Sequence, residues 1–252
     1  MADAAYVEFL CRMGDNTLVL GHRLSECCGH APVLEEDIAV ANTALDLIGQ
    51  TQMWLGLAAE AEGKGRTADD LAMLRDVWDF RNVLLVEQPN GDFGQTLMRQ
   101  YLFDAWHLPM LQGLSQSCEP RVAEIAAKAV REVQYHVERS ADVVIGLGDG
   151  TGESHRRMQR ALDLLWPYVG EMFETDPVDA AMAEKGIAPD PSSLREAYDR
   201  TVAAVMEQAT LQIPESRFAH KGGKTGFRHS EHLGHMLTQM QWLQRAYPGA
   251  TW

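Results

Sequence analysis

Two acids and two imidazoles in the middle of the chain have the spacing to do chemistry together. Asp104 and His107 are three residues apart in an apolar segment, so on a helix they lie one turn apart on one face. Glu132 and His136 are four residues apart beside the hydrophobic stripe of the next segment. Ionisable groups in an apolar seam need hydrogen-bonding partners or a metal ion. These four residues are therefore the candidate polar cluster of the chain.

Two long helices must position this cluster. The first is predicted over about 92–116 and is hydrophobic on most of its sides, as in the centre of a helical core. The second is predicted over about 120–146, with Pro120 at its first helical position. The turn between them is short, so they should pack as an antiparallel hairpin. We then expect Asp104, His107, Glu132 and His136 to be buried and hydrogen-bonded to one another.

The chain before this hairpin predicts another one. Asp15 or Asn16 has the side chain to cap a helix, so we expect a break near residue 14. A long crossover, with one short helix at about 67–79 and an ordered connection after it, leads to the central hairpin. The apolar spacing predicts helices over about 4–13, 16–30 and 34–61.

Two hairpins joined by a long crossover are the order of a ferritin-like four-helix bundle. The sequence therefore predicts an all-α fold of this class, with additional C-terminal helices. We expect a single domain over 1–252, made of a core bundle at about 16–146 and a helical extension at about 151–252. Within the extension, Trp166-Pro167 should kink a helix, and Ser193 with Glu196 fits a capping box. The extension is expected to contain helices over about 154–174, 193–209 and 231–247, with an irregular segment at 211–228.

Composition and charge exclude several classes of partner. The chain has a formal net charge of −14 and a pI of about 5.0, which argues against nucleic acid and anionic membranes. Its apolar runs are shorter than the roughly 20 residues of a membrane span, and its start lacks a signal-peptide pattern. We therefore expect a cytoplasmic protein. Its four cysteines show no metal-binding spacing and are expected to be reduced.

A ferritin-like bundle suggests a di-iron site, and this chain offers only part of one. Such a site takes a Glu from each of two helices and a Glu-x-x-His pair from each of the other two. Asp46 is followed three residues later by Gly49, and Glu132 is followed by Tyr135. Both histidines are missing, so we predict no metal site and no catalytic residue. The degenerate positions are Glu26, Asp46, Gly49, Asp104, Glu132 and Tyr135.

Two further sets of polar residues are weaker candidates for a functional site, one for zinc and one for phosphate. Zinc could be bound by His22, Glu26 and His30 at helical spacing, or by the three histidines within 229–235, but a closed zinc site needs four ligands. The loop 221–228 is the most basic patch of this acidic chain, and its cations could meet phosphate groups. These cations are Lys221, Lys224 and Arg228.

Several strings, in the same order and over nearly the whole chain, resemble the C subunits of bacterial phenylacetyl-CoA epoxidases. They are Leu-Ser-Glu-Cys-Cys-Gly-His-Ala-Pro at 24–32, Leu-Asp-Leu-Ile-Gly-Gln at 45–50, Leu-Val-Glu-Gln-Pro-Asn-Gly at 85–91, Tyr-Leu-Phe-Asp-Ala-Trp-His at 101–107, His-Ser-Glu-His-Leu-Gly at 229–234 and the ending at 242–252.

The resemblance implies a ferritin-like subunit of a multicomponent monooxygenase in aerobic phenylacetate degradation. It implies that a sister A subunit holds the di-iron site and epoxidises the ring of phenylacetyl-CoA, with electrons from NADPH through a flavin and Fe–S reductase. The C subunit is expected to hold no cofactor, to be non-catalytic and to support the A subunit and the other components of the complex. The basic loop would then contact the acidic partner or the phosphates of CoA.

Two other hypotheses stay open at this point. A stand-alone di-iron oxygenase or iron-binding protein of the same fold would contain bound iron. A scaffold or ligand-binding homodimer would need no redox partner. Co-purification with an A-type subunit would separate both from the structural subunit.

Overall fold

Helices make up most of the computed structural model, which describes residues 3–216 and 218–250. Those two ranges contain no strand, so the predicted all-α class is confirmed. None of their helices has the length and apolarity needed to span a bilayer. The α-helices are α1 (Ala4–Ser25), α2 (Leu34–Glu62), α3 (Ala68–Met73), α4 (Leu84–Glu87), α5 (Phe93–Leu114), α6 (Pro120–Gly148), α7 (Gly152–Leu165), α8 (Pro177–Glu184), α9 (Arg195–Gln208) and α10 (Glu231–Ala246).

Four long helices form the bundle. Helix α1 packs along α2, α5 packs along α6, and α2 approaches α6 between the two hairpins. The connection from α2 to α5 is the long crossover and contains α3 and α4. This is the predicted ferritin-like order. The later helices pack on the bundle: α7 and α9 lie against α5 and α6, α8 against α1, and α10 against α3.

Helix α1 is continuous, so the break predicted near residue 14 is wrong. Asp15 accepts a hydrogen bond from the backbone N–H of Arg81 at 2.8 Å. Asn16 Oδ1 accepts one from the N–H of Val83, also at 2.8 Å. Both side chains are buried in the middle of α1. Their capacity to accept backbone hydrogen bonds is used to hold the crossover against the bundle and not to start a helix.

Two other local predictions in the C-terminal half also change. Helix α7 ends at Leu165, and 3-10 turns follow, so Trp166-Pro167 ends the helix where a kink was expected. Helix α9 begins at Arg195 without a side-chain cap. Ser193 Oγ instead donates to the carbonyl of Asp190, at 2.6 Å, so the predicted capping box is wrong. The described residues of the segment before α10, at 211–216 and 218–228, contain no helix or strand, as predicted.

Candidate functional site

The candidate site is a buried seam where α2, α5 and α6 meet. Asp104 and His107 on α5 are fully buried, and His136 on α6 is 2% exposed. Glu132, one turn earlier on α6, is only partly buried. We call this region the polar seam; it consists of Asp46, Gln50, Gln100, Asp104, His107, Glu132, His136 and Ser140.

Hydrogen bonds across the seam run mainly between α2 and α6. The Nε2 atom of His136 lies 3.0 Å from Oδ2 of Asp46, and Gln50 Nε2 donates to Glu132 Oε2 at 2.9 Å. The expectation that the four predicted residues bond to one another is therefore corrected. The acid and the imidazole of α6 each take a partner from α2, because α2 approaches α6 along this stretch.

Among the described residues, only neutral side chains donate hydrogen bonds to Asp104. Gln100 Nε2 donates to it at 2.7 Å from the preceding turn of α5, and Ser140 Oγ donates at 3.4 Å from α6. Burial raises the pKa of Asp104 to about 7, although the nearby His136 and these two hydrogen bonds act in the opposite direction. The carboxyl group is therefore partly protonated near neutral pH.

His107 is a neutral packing residue in this structure. Burial lowers its pKa to about 3. Its ring lies 5.0 Å from that of Phe103 and 6.1 Å from that of Trp106, measured between centroids. Neither of its nitrogens has a hydrogen-bond partner in the described residues. Three more buried atoms of the seam share that property, namely Gln50 Oε1, Gln100 Oε1 and His136 Nδ1.

The residues of this bundle do not fit a di-iron site. Gly49 offers no ligand, and the side chain of Tyr135 is 53% exposed on α6. Glu26 follows the last residue of α1, and its carboxylate is bonded to Arg23 and to Asn90. In 3–216 and 218–250, no three His, Cys, Asp or Glu side chains are grouped to hold a metal ion.

His22 and His30, two of the residues considered as zinc ligands, do not lie on one helix. His22 lies on α1 and its Nδ1 is 3.1 Å from the carbonyl oxygen of Leu18. His30 lies in the turn after α1, where its Nδ1 contacts the carbonyl of Cys28. Because α1 ends at Ser25, the helical spacing assumed for this group does not continue to His30.

A second buried polar site was missed by the sequence reasoning. The carboxylate of Glu87, fully buried in α4, accepts hydrogen bonds from Asn82 Nδ2 and His229 Nδ1 at 2.9 and 2.6 Å. It also accepts the backbone N–H and the hydroxyl of Ser230, at 2.7 and 2.6 Å. We call these four residues the Glu87 anchor. Two of the resemblance strings, 85–91 and 229–234, meet here, and their joint occurrence was the available signal.

Glu171 holds the loop before α10 in a similar way. Its buried carboxylate accepts backbone N–H groups of Leu84, Gly222 and Lys224, at 2.8, 2.8 and 3.2 Å. Burial raises the pKa of Glu171, and these hydrogen bonds partly offset that effect. The crossover and the loop are thus tied to the same carboxylate.

The three cations predicted as a phosphate or partner contact lie in different environments. Lys224 is buried, with its ammonium bonded to Asp179 and to the carbonyl of Glu174. Lys221 is exposed and lies 3.2 Å from the Glu174 carboxylate, and Arg228 is exposed. The position of Lys224 suits an internal ion pair and not an external phosphate. The prediction of a partner or CoA contact stays open for Lys221 and Arg228.

Comparison with known proteins agrees with the resemblance found in the sequence. The model of the family described as phenylacetic acid catabolic protein matches residues 1–252. A relative from Escherichia coli (strain K12), the C subunit of 1,2-phenylacetyl-CoA epoxidase, is 48% identical over 241 residues, which is 96% of this chain and 96% of that protein. The chain belongs to the phenylacetic acid catabolic protein family.

Proposed function

We propose that this chain is a non-catalytic structural subunit of a multicomponent phenylacetyl-CoA epoxidase and that it stabilises the catalytic A subunit. The observation that carries the proposal is the 48% identity, over nearly the full length of both chains, to a protein named as the C subunit of that enzyme. The di-iron site is assigned to the A subunit, and NADPH, flavin and Fe–S to the reductase. This chain is assigned no cofactor, and a cytoplasmic location stays a prediction.

The chemistry of the polar seam supports a non-catalytic role. Gly49 and Tyr135 stand where a di-iron site needs imidazoles. Asp46 is already paired with His136. A bundle with this set of side chains has packing and hydrogen-bonding functions for its polar residues but lacks the ligands for oxygen activation.

The exposed face of α2 supports a partner-binding role. Leu34, Ile38 and Leu45 are 70, 51 and 66% exposed, and at 100° per residue they lie within about 40° of one another on the helix. Large apolar side chains aligned on one exposed helix face are typical of protein interfaces. We assign this stripe to the contact with the A subunit, whose folded state would gain stability from the binding.

The test is epoxidation of phenylacetyl-CoA with reductase and NADPH, using A alone, this chain alone and both together. We expect A alone to be poorly soluble or inactive, this chain alone to be inactive, and the mixture to turn over. Turnover by this chain alone, or full activity of A without it, would overturn the structural role.

The assignment of the α2 stripe has its own test. Ile38→Glu should weaken binding of the A subunit at least tenfold while the chain stays folded. Leu164→Glu on α7 is the matched control, since Leu164 is 48% exposed on another face. Equal binding of the A subunit by both variants would show that the interface does not include the α2 stripe.

The rival function, a stand-alone di-iron oxygenase or iron-binding protein, is decided by elemental analysis. We expect no stoichiometric iron in the purified chain. Two irons per chain with an oxygen-sensitive absorbance would favour the rival. Sedimentation of the chain alone would show whether it forms a homodimer in the absence of A.

A further inference from the structure

A concave cationic surface lies where α7 meets the start of α5. Arg156, Arg157 and Arg160 fall within five consecutive positions of α7. They line a cavity of about 400 Å³ together with Asp92, Gln95 and Glu153. We call it the arginine pocket. Its sequence signal is three arginines in little more than one helical turn of a chain whose net charge is −14.

The charges of the pocket do not cancel. Glu153 pairs with both Arg156 and Arg157, and Arg157 Nη1 lies 3.5 Å from Asp92. Within the described residues, no carboxylate lies within ion-pair distance of Arg160. Three guanidinium groups thus face two carboxylates. One guanidinium remains able to bind an anion directly, so the pocket keeps a net positive charge.

Close helix packing holds the pocket in shape. A Cβ atom at Gly94 would lie 3.0 Å from the buried Sδ of Met158, so α5 begins in direct contact with α7. Asp92 caps α5 through the N–H of Gln95, at 2.9 Å. The positive end of a 22-residue helix therefore adjoins the arginines. The pocket stands on two packed helices, which favours a defined binding geometry.

We propose that the arginine pocket binds a phosphate group, either as free phosphate or as part of a nucleotide-type ligand such as CoA. Guanidinium groups match phosphate oxygens through paired N–H donors, and several of them can share one phosphate. A cavity of about 400 Å³ is in the size range of small-molecule sites and accommodates more than a phosphate ion. The CoA form of this inference rests on the proposed function.

The test is calorimetric titration of the purified full chain with inorganic phosphate, CoA and dephospho-CoA at low and moderate salt. We expect at least one of these probes to bind, and Arg160→Gln to weaken its binding at least fivefold. Tighter binding of CoA than of dephospho-CoA and inorganic phosphate would indicate that the pocket recognises the 3′-phosphate of CoA. Similar binding of CoA and dephospho-CoA, tighter than that of phosphate, would indicate that the pocket recognises the diphosphate group that both contain. Equal binding of all three would indicate a site for phosphate alone.

Two control variants make this result specific. Arg200→Gln on α9 removes another exposed arginine, which is paired with Glu196, and should leave binding unchanged. Lys221→Gln tests the basic loop that the sequence suggested. No binding of any probe, or binding that Arg160→Gln does not weaken, would overturn the proposal. The titration contains no A subunit. An absence of binding would therefore not contradict the proposed structural role, and a failed activity test would not contradict phosphate binding by the arginine pocket.

Discussion

The polar seam and the Glu87 anchor each contain a fully buried carboxyl group, Asp104 and Glu87, but they differ in how their polar atoms are paired. The carboxylate of Glu87 accepts four hydrogen bonds, one of them from a backbone N–H. Asp104 accepts two, both from neutral side chains, and burial raises its pKa to about 7. Around Asp104, both nitrogens of His107 and single atoms of Gln50 and Gln100 have no partner in the described residues.

The difference shows which buried polar group holds the fold together. A buried carboxylate whose hydrogen bonds are all made fixes one arrangement of the chain, whereas partly paired polar groups cost stability. In the described residues, Asn82 Oδ1 is the one buried side-chain atom of the anchor without a partner, against five such atoms in the seam. The Glu87 anchor joins α4 to the segment before α10, which is more than 140 residues away in sequence. The seam joins helices that apolar packing already holds together. We therefore expect substitutions in the two regions to differ in size, in pH dependence and in sign.

The largest effect is expected at the anchor. Glu87→Ala would leave Asn82, His229 and the N–H of Ser230 without their acceptor in a buried site. We expect a loss of about 3–5 kcal/mol in the free energy of unfolding, the range for breaking a buried charged network from one side. Urea denaturation followed by circular dichroism measures it.

Two comparisons sharpen that result. Glu124→Ala, on the exposed face of α6, makes the same chemical change and should stay within about 0.5 kcal/mol of wild type. Glu87→Gln keeps one acceptor oxygen and should fall between the two variants. Equal stability of Glu87→Ala and Glu124→Ala would show that the anchor does not hold the crossover.

The anchor also shows where prediction from sequence reaches its limit. The hairpins, the crossover and the absence of two histidine ligands could be predicted, because each follows from periodicity or spacing within a short stretch of sequence. The role of Glu87 depends on His229 and Ser230, and no local pattern links those positions. The prediction for Asp15 failed for the same reason: a cap and a buried anchor use the same residue types, and only the distant partner, here the Arg81 backbone, separates them.

The polar seam also has features that could be predicted from sequence and features that could not. Burial of Asp104 and His107 could be predicted because both lie on the apolar face of one helix. Their hydrogen bonds could not, since these depend on the relative rotation of α2, α5 and α6. Lys224 was predicted to contact phosphate or a partner, and its internal ion pair could not be predicted because its partner Asp179 lies on α8, 45 residues earlier in the chain.

A smaller and pH-dependent effect is expected in the seam. The folded pKa of Asp104, about 7, is above the ordinary aspartate value of 3.8, so its contribution to stability is lost as pH rises from about 4 to about 7. Asp104→Asn keeps an acceptor for Gln100 and carries no proton to lose. The variant should therefore gain stability relative to wild type over that pH range, by on the order of 2–4 kcal/mol.

Thermal or urea unfolding at several pH values between 4 and 8 measures this difference. The low pKa of His107 gives the opposite trend, a loss of stability as pH falls below its unfolded value, but it is present in both proteins and cancels. Asp142→Asn on the exposed side of α6 is the control and should follow wild type at every pH. A constant difference between Asp104→Asn and wild type would mean that Asp104 does not take up a proton on folding.

The smallest effects come from two glycines, Gly223 beside the crossover that the anchor holds and Gly49 on α2. A Cβ at Gly223 would lie 2.6 Å from the carbonyl oxygen of Asn82 and 3.0 Å from the nitrogen of Leu84. The crossover backbone cannot move away easily, because the Glu87 anchor and Glu171 hold it. Gly223→Ala should therefore lower the free energy of unfolding by about 1–3 kcal/mol.

Gly49 should respond in the opposite direction. It lies in the middle of α2, and a Cβ there would meet no atom within 4 Å. Alanine removes the entropic cost of a helical glycine, so Gly49→Ala should raise the free energy of unfolding by about 0.5–1 kcal/mol. The measurement is urea denaturation at two protein concentrations. A loss of stability that grows with concentration would show that α2 is covered by a second copy of the chain, which would favour the homodimer hypothesis over an α2 surface that is open to the A subunit.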